Sequence, residues 1–439
     1  MIRKIVFILL LILLSCPNMA SAVLIPNDPL FYNQDYLKII RAQEAWDISD
    51  GRGAVIAFLD SGVDINHPDL RKNIWINSGE IPNDGIDNDH NGYIDDVNGW
   101  DFVDNDNTPL PDPENDCLES NDCSNIGINH GTIIAGVAAA EGENREGIIG
   151  LAYHAKIKVL NGDGVGNIRA IIDGINYAIL EKADIINLSL VGSVKSDMLE
   201  RAISRAHKKG IVIVAASGNN NSGAEGFDLD KNPMYPISEA EGRNFVLGVG
   251  SLKKSGKKLN VSNYGSKSID ISAIGENFYS TLFHSPRDDN FSKYYGGWWT
   301  GTSVSTALVS GTAALIKSVD PHLNNVQIED LITKTSDTLN NLEPKFNGKM
   351  GKGSLDAYRS VKAAFDMIDG NVKKHNFSEK YLLGAPDGNF SPILKIFNLS
   401  KNNIFIRDFF AYDKKFHGGV NVAVGDIDGD GISEIITGA

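Results

Sequence analysis

Between Gly53 and Ala314 the apolar residues follow two rhythms. Short continuous runs at Ala54–Leu59, Lys156–Leu160, Ala183–Leu190, Ile211–Ala216 and Phe245–Val249, each bounded by turn residues, predict buried strands. Between them Ile168, Ile171, Ile172, Ile175 and Ile179 recur at helical spacing, and Met198–Lys208 reads as an amphipathic helix closed by Gly210. Strands that alternate with helices predict an α/β fold, a mostly parallel sheet covered on both faces. Such sheets bind ligands beyond the carboxyl ends of their strands. Asp60 stands at one such end, and His130 and Ser303 each open a helical pattern.

The two ends of the chain depart from this rhythm. Met1-Ile2-Arg3-Lys4 precedes an apolar run from Ile5 to Leu14, too short to span a bilayer but suited to the core of a signal peptide. Ala20-Ser21-Ala22 fits a cleavage site, which makes residues 1–22 a removable leader; Leu13-Leu14-Ser15-Cys16 fits the alternative of a lipoprotein box with a lipid anchor on Cys16. Both routes predict export, without a transmembrane span. Loss of Cys16 with the leader leaves Cys117 and Cys123, either a short-range disulfide or two free surface thiols. From residue 371 onward helical periodicity fades into aromatic, alternating segments. Tyr381-Leu382-Leu383-Gly384-Ala385 is echoed 54 residues later by Ile435-Ile436-Thr437-Gly438-Ala439, a period suited to a β-propeller blade. One blade cannot bury both its faces, so residues 371–439 read as an incomplete β repeat module.

Charge narrows the choice of partners. The chain carries 41 Lys and Arg against 56 Asp and Glu, a net −15, which argues against a nucleic-acid partner. Much of the acid is concentrated in residues 80–122 and 426–434. In the run from Asp84 to Asp96, the side chains of Asp87, Asp89, Asn91 and Asp95 and the carbonyl of Tyr93 fall at EF-hand-like positions, and Gly92 supplies the sharp turn. The customary twelfth-position glutamate is Asn98, so another segment must complete the shell or the affinity is lower. The spacing predicts calcium, with a metal-free Asp/Asn-rich turn as the alternative. No His/Cys cluster has zinc-ligand spacing.

Four further segments carry the chemistry. Leu59-Asp60-Ser61-Gly62, Asn129-His130-Gly131-Thr132, Ser217-Gly218-Asn219 and Gly301-Thr302-Ser303 follow one another in an order that resembles the subtilisin family of serine endopeptidases. The likeness runs over about residues 26–365, through Asn27-Asp28-Pro29, His67-Pro68-Asp69-Leu70 and Ser262-Asn263-Tyr264-Gly265, and is nearest to thermitase-like subtilisins. It implies a three-layer subtilisin-like domain over 23–370. It also implies an Asp60, His130 and Ser303 triad, an oxyanion donor at Asn219, and protein or peptide substrates bound as an added strand. The strand would lie between Gly164-Val165-Gly166 and Ser189-Leu190-Val191. Val191 in place of the family's glycine, together with Met234, implies a narrowed pocket for a moderate apolar residue. Asp28 and Asp69 match thermitase-like calcium ligands, and Asp426, Asp428, Asp430 and Glu434 resemble the calcium loop of FG-GAP repeats.

Departures from the family pattern fall at Ile133, Val304, Ala307 and Leu308, where relatives carry His, Met, Pro and His. None is a triad position. Mature-like sequence follows the leader closely, with no room for an intervening propeptide. That leaves a second reading open, a protease-like binding or adhesion protein without activity.

Overall fold

A computed structural model describes residues 24–113, 125–161, 167–220, 225–238 and 245–374, and beyond them five tail strands. The leader with Cys16, the pair Cys117 and Cys123, the segment Gly164–Gly166, and Asp426, Asp428 and Asp430 lie outside the described residues; Glu434 is described only as a strand residue. The chain divides into two compact units, Met1–Phe365 and Asp366–Ala439.

Seven strands form the sheet of the first unit: β1 (Val55–Asp60), β2 (Gly99–Asp101), β3 (Lys156–Asn161), β4 (Ile185–Leu188), β5 (Val212–Ala216), β6 (Leu247–Leu252) and β7 (Ile271–Ile274). They pair in the order β2-β3-β1-β4-β5-β6-β7, every pair parallel. The five expected strands are all present, with ends shifted by no more than three residues. β2 and β7 escaped the sequence because three or four residues carry too little period to register. Strand order reverses at β1, which lies between β3 and β4. A crevice opens at such a switch point beyond the strand ends, and Asp60 is the last residue of β1.

Alternation along the strands sorts the core into two layers. Ile56 and Phe58 of β1 and Val212 and Val214 of β5 face one side; Ala57 and Leu59, and Ile213 and Ala215, face the other. Two short helices, α1 (Asp35–Ile39) and α2 (Ala42–Trp46), lie near the start. The second layer is closed by α4 (Ile168–Leu180) and α5 (Asp197–Lys208), the two helices whose spacing was legible. The first is closed by α3 (Asn125–Ala139) and by α6 (Thr302–Val319), which is buried almost without a break from Thr302 to Ile316. A helix apolar all round belongs in the middle of a core. Ile133, Val304, Ala307 and Leu308 are all buried there, so the departures from the family pattern are accommodated as core packing.

Outside the main sheet, β8 (Phe278–Thr281) and β9 (Tyr295–Trp299) form an antiparallel pair. After α7 (Asn325–Lys334) and α8 (Ala357–Lys374) come the tail strands. There β10 (Tyr381–Gly384), β11 (Ile393–Asn398) and β12 (Ile404–Phe410) make one antiparallel sheet, and β13 (Asn421–Gly425) pairs with β14 (Glu434–Gly438). Both segments of the predicted repeat are strands that end in glycine.

Leu308→Ala removes a fully buried side chain from the centre of α6. It should lower stability by about 2–5 kcal/mol, read as a depressed melting midpoint by calorimetry. A shift no larger than that of an exposed substitution would contradict this placement.

Candidate active site

Asp60 leaves β1 only 1% exposed. Its Oδ1 accepts the Ser61 N–H at 2.8 Å and lies 2.6 Å from His130 Nδ1. A carboxylate only accepts, so Nδ1 carries the proton and Nε2 of the neutral ring is left as a proton acceptor. Burial pulls the imidazole pKa down, but the charge and hydrogen bond of Asp60 outweigh it and hold His130 above the usual histidine value. Asp60 Oδ2 is buried without a partner among the described residues.

His130 does not open its helix as the sequence pattern suggested. α3 runs back to Asn125, which places the imidazole in the second turn. The added turn has something to bury, because Ile128 packs against Phe283 and Phe291. Two hydroxyls from β8 fix the next turn: Ser280 Oγ donates to the Ile133 carbonyl at 2.8 Å and Thr281 Oγ1 to Thr132 at 2.7 Å. Gly131 lets α3 pass close to the loop after β1, since a Cβ there would fall 2.1 Å from the Gly62 carbonyl oxygen.

Ser303 is the second residue of α6, as its sequence position predicts. Its Oγ donates to the Ser189 carbonyl at 3.3 Å rather than to His130, and Ser189 Oγ donates back to the Ser303 carbonyl at 3.2 Å. Asn187 Nδ2 donates to Ser189 Oγ at 3.0 Å, so the end of β4 is tied to the start of α6. α3 and α6 pack against each other, which brings the imidazole and hydroxyl elements together.

Asn219 follows β5. Its Oδ1 accepts the Thr302 N–H at 3.0 Å, and the Gly218 N–H donates to Thr302 Oγ1 at 3.1 Å. With the oxygen committed to Thr302, the amide nitrogen is the end left for another acceptor. A Cβ on Gly301 would lie 3.2 Å from that nitrogen, so glycine keeps it clear. Thr302 was not among the expected site residues; its contribution is a backbone N–H, which no sequence pattern displays.

Val191 and Met234 converge beside Gly218. A Cβ on Gly218, whose φ is +82°, would strike Val191 Cγ2 at 2.5 Å and Asn263 Nδ2 at 2.9 Å. The same Asn263 nitrogen lies 3.4 Å from Met234 Sδ and donates to the Ser217 carbonyl at 2.8 Å. Leu190 is partly buried in the same layer.

Two places suit a hard cation. Asp28 and Asp69 are 1% and 0% exposed, and Asp28 Oδ1 has no partner among the described residues. Burial pushes Asp28 up to about 6 and Asp69 up to about 7, and each site has a neighbouring negative charge, Glu143 beside Asp28 and Asp28 beside Asp69. Asn144 Nδ2 donates to Asp69 Oδ1 at 2.7 Å. An orphaned carboxylate oxygen in a buried acidic group fits an oxygen-liganded cation. The second place is in the acidic insert, where carboxylate oxygens of Glu80, Asp87 and Asp89 lie within 4.8 Å of one another. Glu80, which precedes the motif, supplies the third carboxylate of this cluster, and Asn98 donates to the Trp75 carbonyl. Asp95 accepts the Asp84 and Gly85 N–H groups, Asn91 reaches Asp96 and Glu181, and the Tyr93 ring packs on Trp100 and Tyr177. Glu80 and Asn144 were missed because the first precedes the motif and the second belongs to a loop far along the chain.

Residues 51–353 match the family model of the subtilase family, Peptidase S8. The chain is 35% identical to thermitase of Thermoactinomyces vulgaris over 342 residues, 76% of this chain and 99% of that one. It is 31% identical to a thermophilic serine proteinase of Bacillus sp. (strain AK1), over 79% of this chain and 71% of that one. Among solved structures, a protease from Pseudoalteromonas arctica superposes with a TM-score of 0.60 at 29% identity, over 77% of this chain and 99% of the other. With a parallel seven-stranded sheet, a buried carboxylate on an imidazole and a serine at a helix start, the chain belongs to the subtilase family and is a subtilisin-like serine endopeptidase.

Proposed function

We propose that Asp60, His130 and Ser303 are the catalytic residues and that Asn219 stabilises the oxyanion. The observation that carries this reading is the 2.6 Å contact between His130 Nδ1 and Asp60. Rotation of the Ser303 side chain takes Oγ from the Ser189 carbonyl to His130 Nε2. Oγ then attacks the scissile carbonyl while Nε2 takes its proton, and Asp60 stabilises the imidazolium. The carbonyl oxygen becomes an oxyanion bound by Asn219 Nδ2 and the Ser303 N–H. As the C–N bond breaks, His130 returns the proton to the leaving amine. Water, deprotonated by the same nitrogen, then attacks the acyl-serine; as the acyl C–O bond breaks, Nε2 returns the proton to Ser303 Oγ and the carboxylic product leaves.

Extended peptide substrates are read by Gly164, Val165 and Gly166 on one side and by Ser189, Leu190 and Val191 on the other. Val191 and Met234 select a moderate apolar residue before the scissile bond. Calcium is the cation: Asp28 and Asp69 with Asn144 would hold one ion, and Glu80, Asp87 and Asp89 another with Asn91, Tyr93 and Asp95 about it. Bound calcium would supply positive charge to buried carboxylates and take no part in the bond chemistry. The protein is exported, and its tail binds a further calcium through Asp426, Asp428, Asp430 and Glu434 as an FG-GAP-type repeat.

A fluorophosphonate should label the protein at Ser303 alone, and Ser303→Ala should abolish labelling; no labelling would leave a protease-like binding protein. Asp60→Asn should cut kcat by about 10⁴ and move the acid limb of kcat/KM to lower pH, because the group that raises His130 is gone. Cleavage-site profiling should show moderate apolar residues before the scissile bond, shifting to larger ones in Val191→Gly; a preference for Arg or Lys contradicts the narrowed pocket. Chelation should lower the melting temperature, and the gap to the calcium-loaded protein should widen as pH rises from about 4 to about 7. The sign follows from Asp28 and Asp69 being raised from 3.8: without cation the native state holds more protons than the unfolded chain over that range and loses stability as pH rises. A gap that is constant with pH would contradict it.

A further inference from the structure

Lys258 is a lysine only 7% exposed, and its ammonium is answered by carbonyl oxygens rather than by a carboxylate. Nζ donates to the carbonyls of Leu259 at 2.8 Å, Asn260 at 3.1 Å and Ser262 at 2.5 Å. The Tyr264 and Phe346 rings stand at 5.4 and 5.0 Å from it. Three carbonyls drawn onto one cation close the turn Lys258–Ser262 into a single conformation, the arrangement that a bound metal ion imposes on a loop.

That turn is the partner of the segment that carries Asn219. The Asn220 N–H donates to the Val261 carbonyl at 2.8 Å, the Asn263 N–H to Gly218 at 3.0 Å, and Asn219 bridges Ser262 in antiparallel sense. Asn263 Nδ2 holds the Ser217 carbonyl, and the Ser251 N–H of β6 holds Ser262 Oγ at 3.0 Å. Residues 217–220 therefore have one edge on the Lys258 turn and the other on Thr302, whose N–H fixes the Asn219 amide oxygen. On the Lys258 side the Ser262 N–H closes the turn onto the Leu259 carbonyl at 3.1 Å, and the ammonium is the group that joins all three carbonyls, those of Leu259, Asn260 and Ser262.

We propose that Lys258 is a positioning residue for catalysis, an internal cation that sets the Asn219 amide in place for the oxyanion by ordering the turn against which residues 217–220 are paired. This rests on the oxyanion role given to Asn219 above. Burial lowers the lysine pKa to about 8, so at neutral pH the amine still has the three N–H donors the three carbonyls require. The effect is read in kcat, because the Asn219 amide meets the oxyanion that forms in the transition state.

The test is a double-mutant cycle on the full chain. Asn219→Ala alone should lower kcat by about 10²–10³ with little change in KM. Lys258→Met should lower kcat by about tenfold with KM within about twofold, and in the Asn219→Ala background it should cost less than about threefold, since there is no amide left to position. Should the Met variant fail to fold, Lys258→Gln keeps two of the three donors and carries the same cycle. Losses that multiply, or an unchanged kcat in the folded variant, overturn the role of Lys258. An unchanged kcat in Asn219→Ala overturns the oxyanion reading itself.

Discussion

Burial of α6 is the constraint on which the rest of the first unit depends. The helix packs against α3 and against five strands of the sheet, β1, β4, β5, β6 and β7. It is also keyed by hydroxyls. Ser305 Oγ contacts Ser251 Oγ at 2.5 Å and donates to the Ile274 carbonyl, and Ser310 Oγ donates to Asn187 Oδ1. Ser251 Oγ donates to the Gly301 carbonyl. Buried hydroxyls have strict partners, so these bonds fix rotation and register where apolar contact alone would permit sliding. Ser303 inherits its position from this helix, and the loops after β4 and β5 are in turn tied to its first turn through Ser189 and Asn219.

Charge is treated differently at each place where it is buried. The Asp60 carboxylate has an imidazole and a backbone N–H, and its neighbour is the group whose basicity it raises. Lys258 is met by carbonyl dipoles. Lys158, inside β3, donates to the Glu181 carbonyl and lies 3.4 Å from the Trp75 ring centre, and burial pushes its pKa down to about 7. Asp28 and Asp69 have hydrogen bonds and negative neighbours, and burial drives both upward. The last pair sets two buried carboxylates beside each other and leaves Asp28 Oδ1 without a partner among the described residues, which is the physical reason to look there for a cation.

Much of this was legible because it is local. The apolar runs of β1, β3, β4, β5 and β6 and the isoleucine period of α4 are statements about neighbours in sequence, and they predicted a covered parallel sheet. Asp60 at a strand end and Ser303 at a helix start follow from the same patterns. His130 was displaced from its expected helix start because Ile128 found Phe283 and Phe291, more than 150 residues away. The Thr302 N–H, Glu80, Asn144 and Lys258 were illegible for a related reason: their roles arise from loops that meet only in three dimensions. Lys258 in particular stands among other lysines, and only its burial distinguishes it.

The strand order has a consequence in time. Asp60 and His130 lie in the first third of the chain, while Ser303 arrives with α6, and the central sheet position of β1 is flanked by β3 and β4, which are made later. During synthesis the proposed acid and base therefore emerge before the proposed nucleophile, and parallel strands cannot pair until their crossovers are complete. β1 gains both its sheet neighbours only after β4 has been made, and α6 then reaches its position only by filling the core.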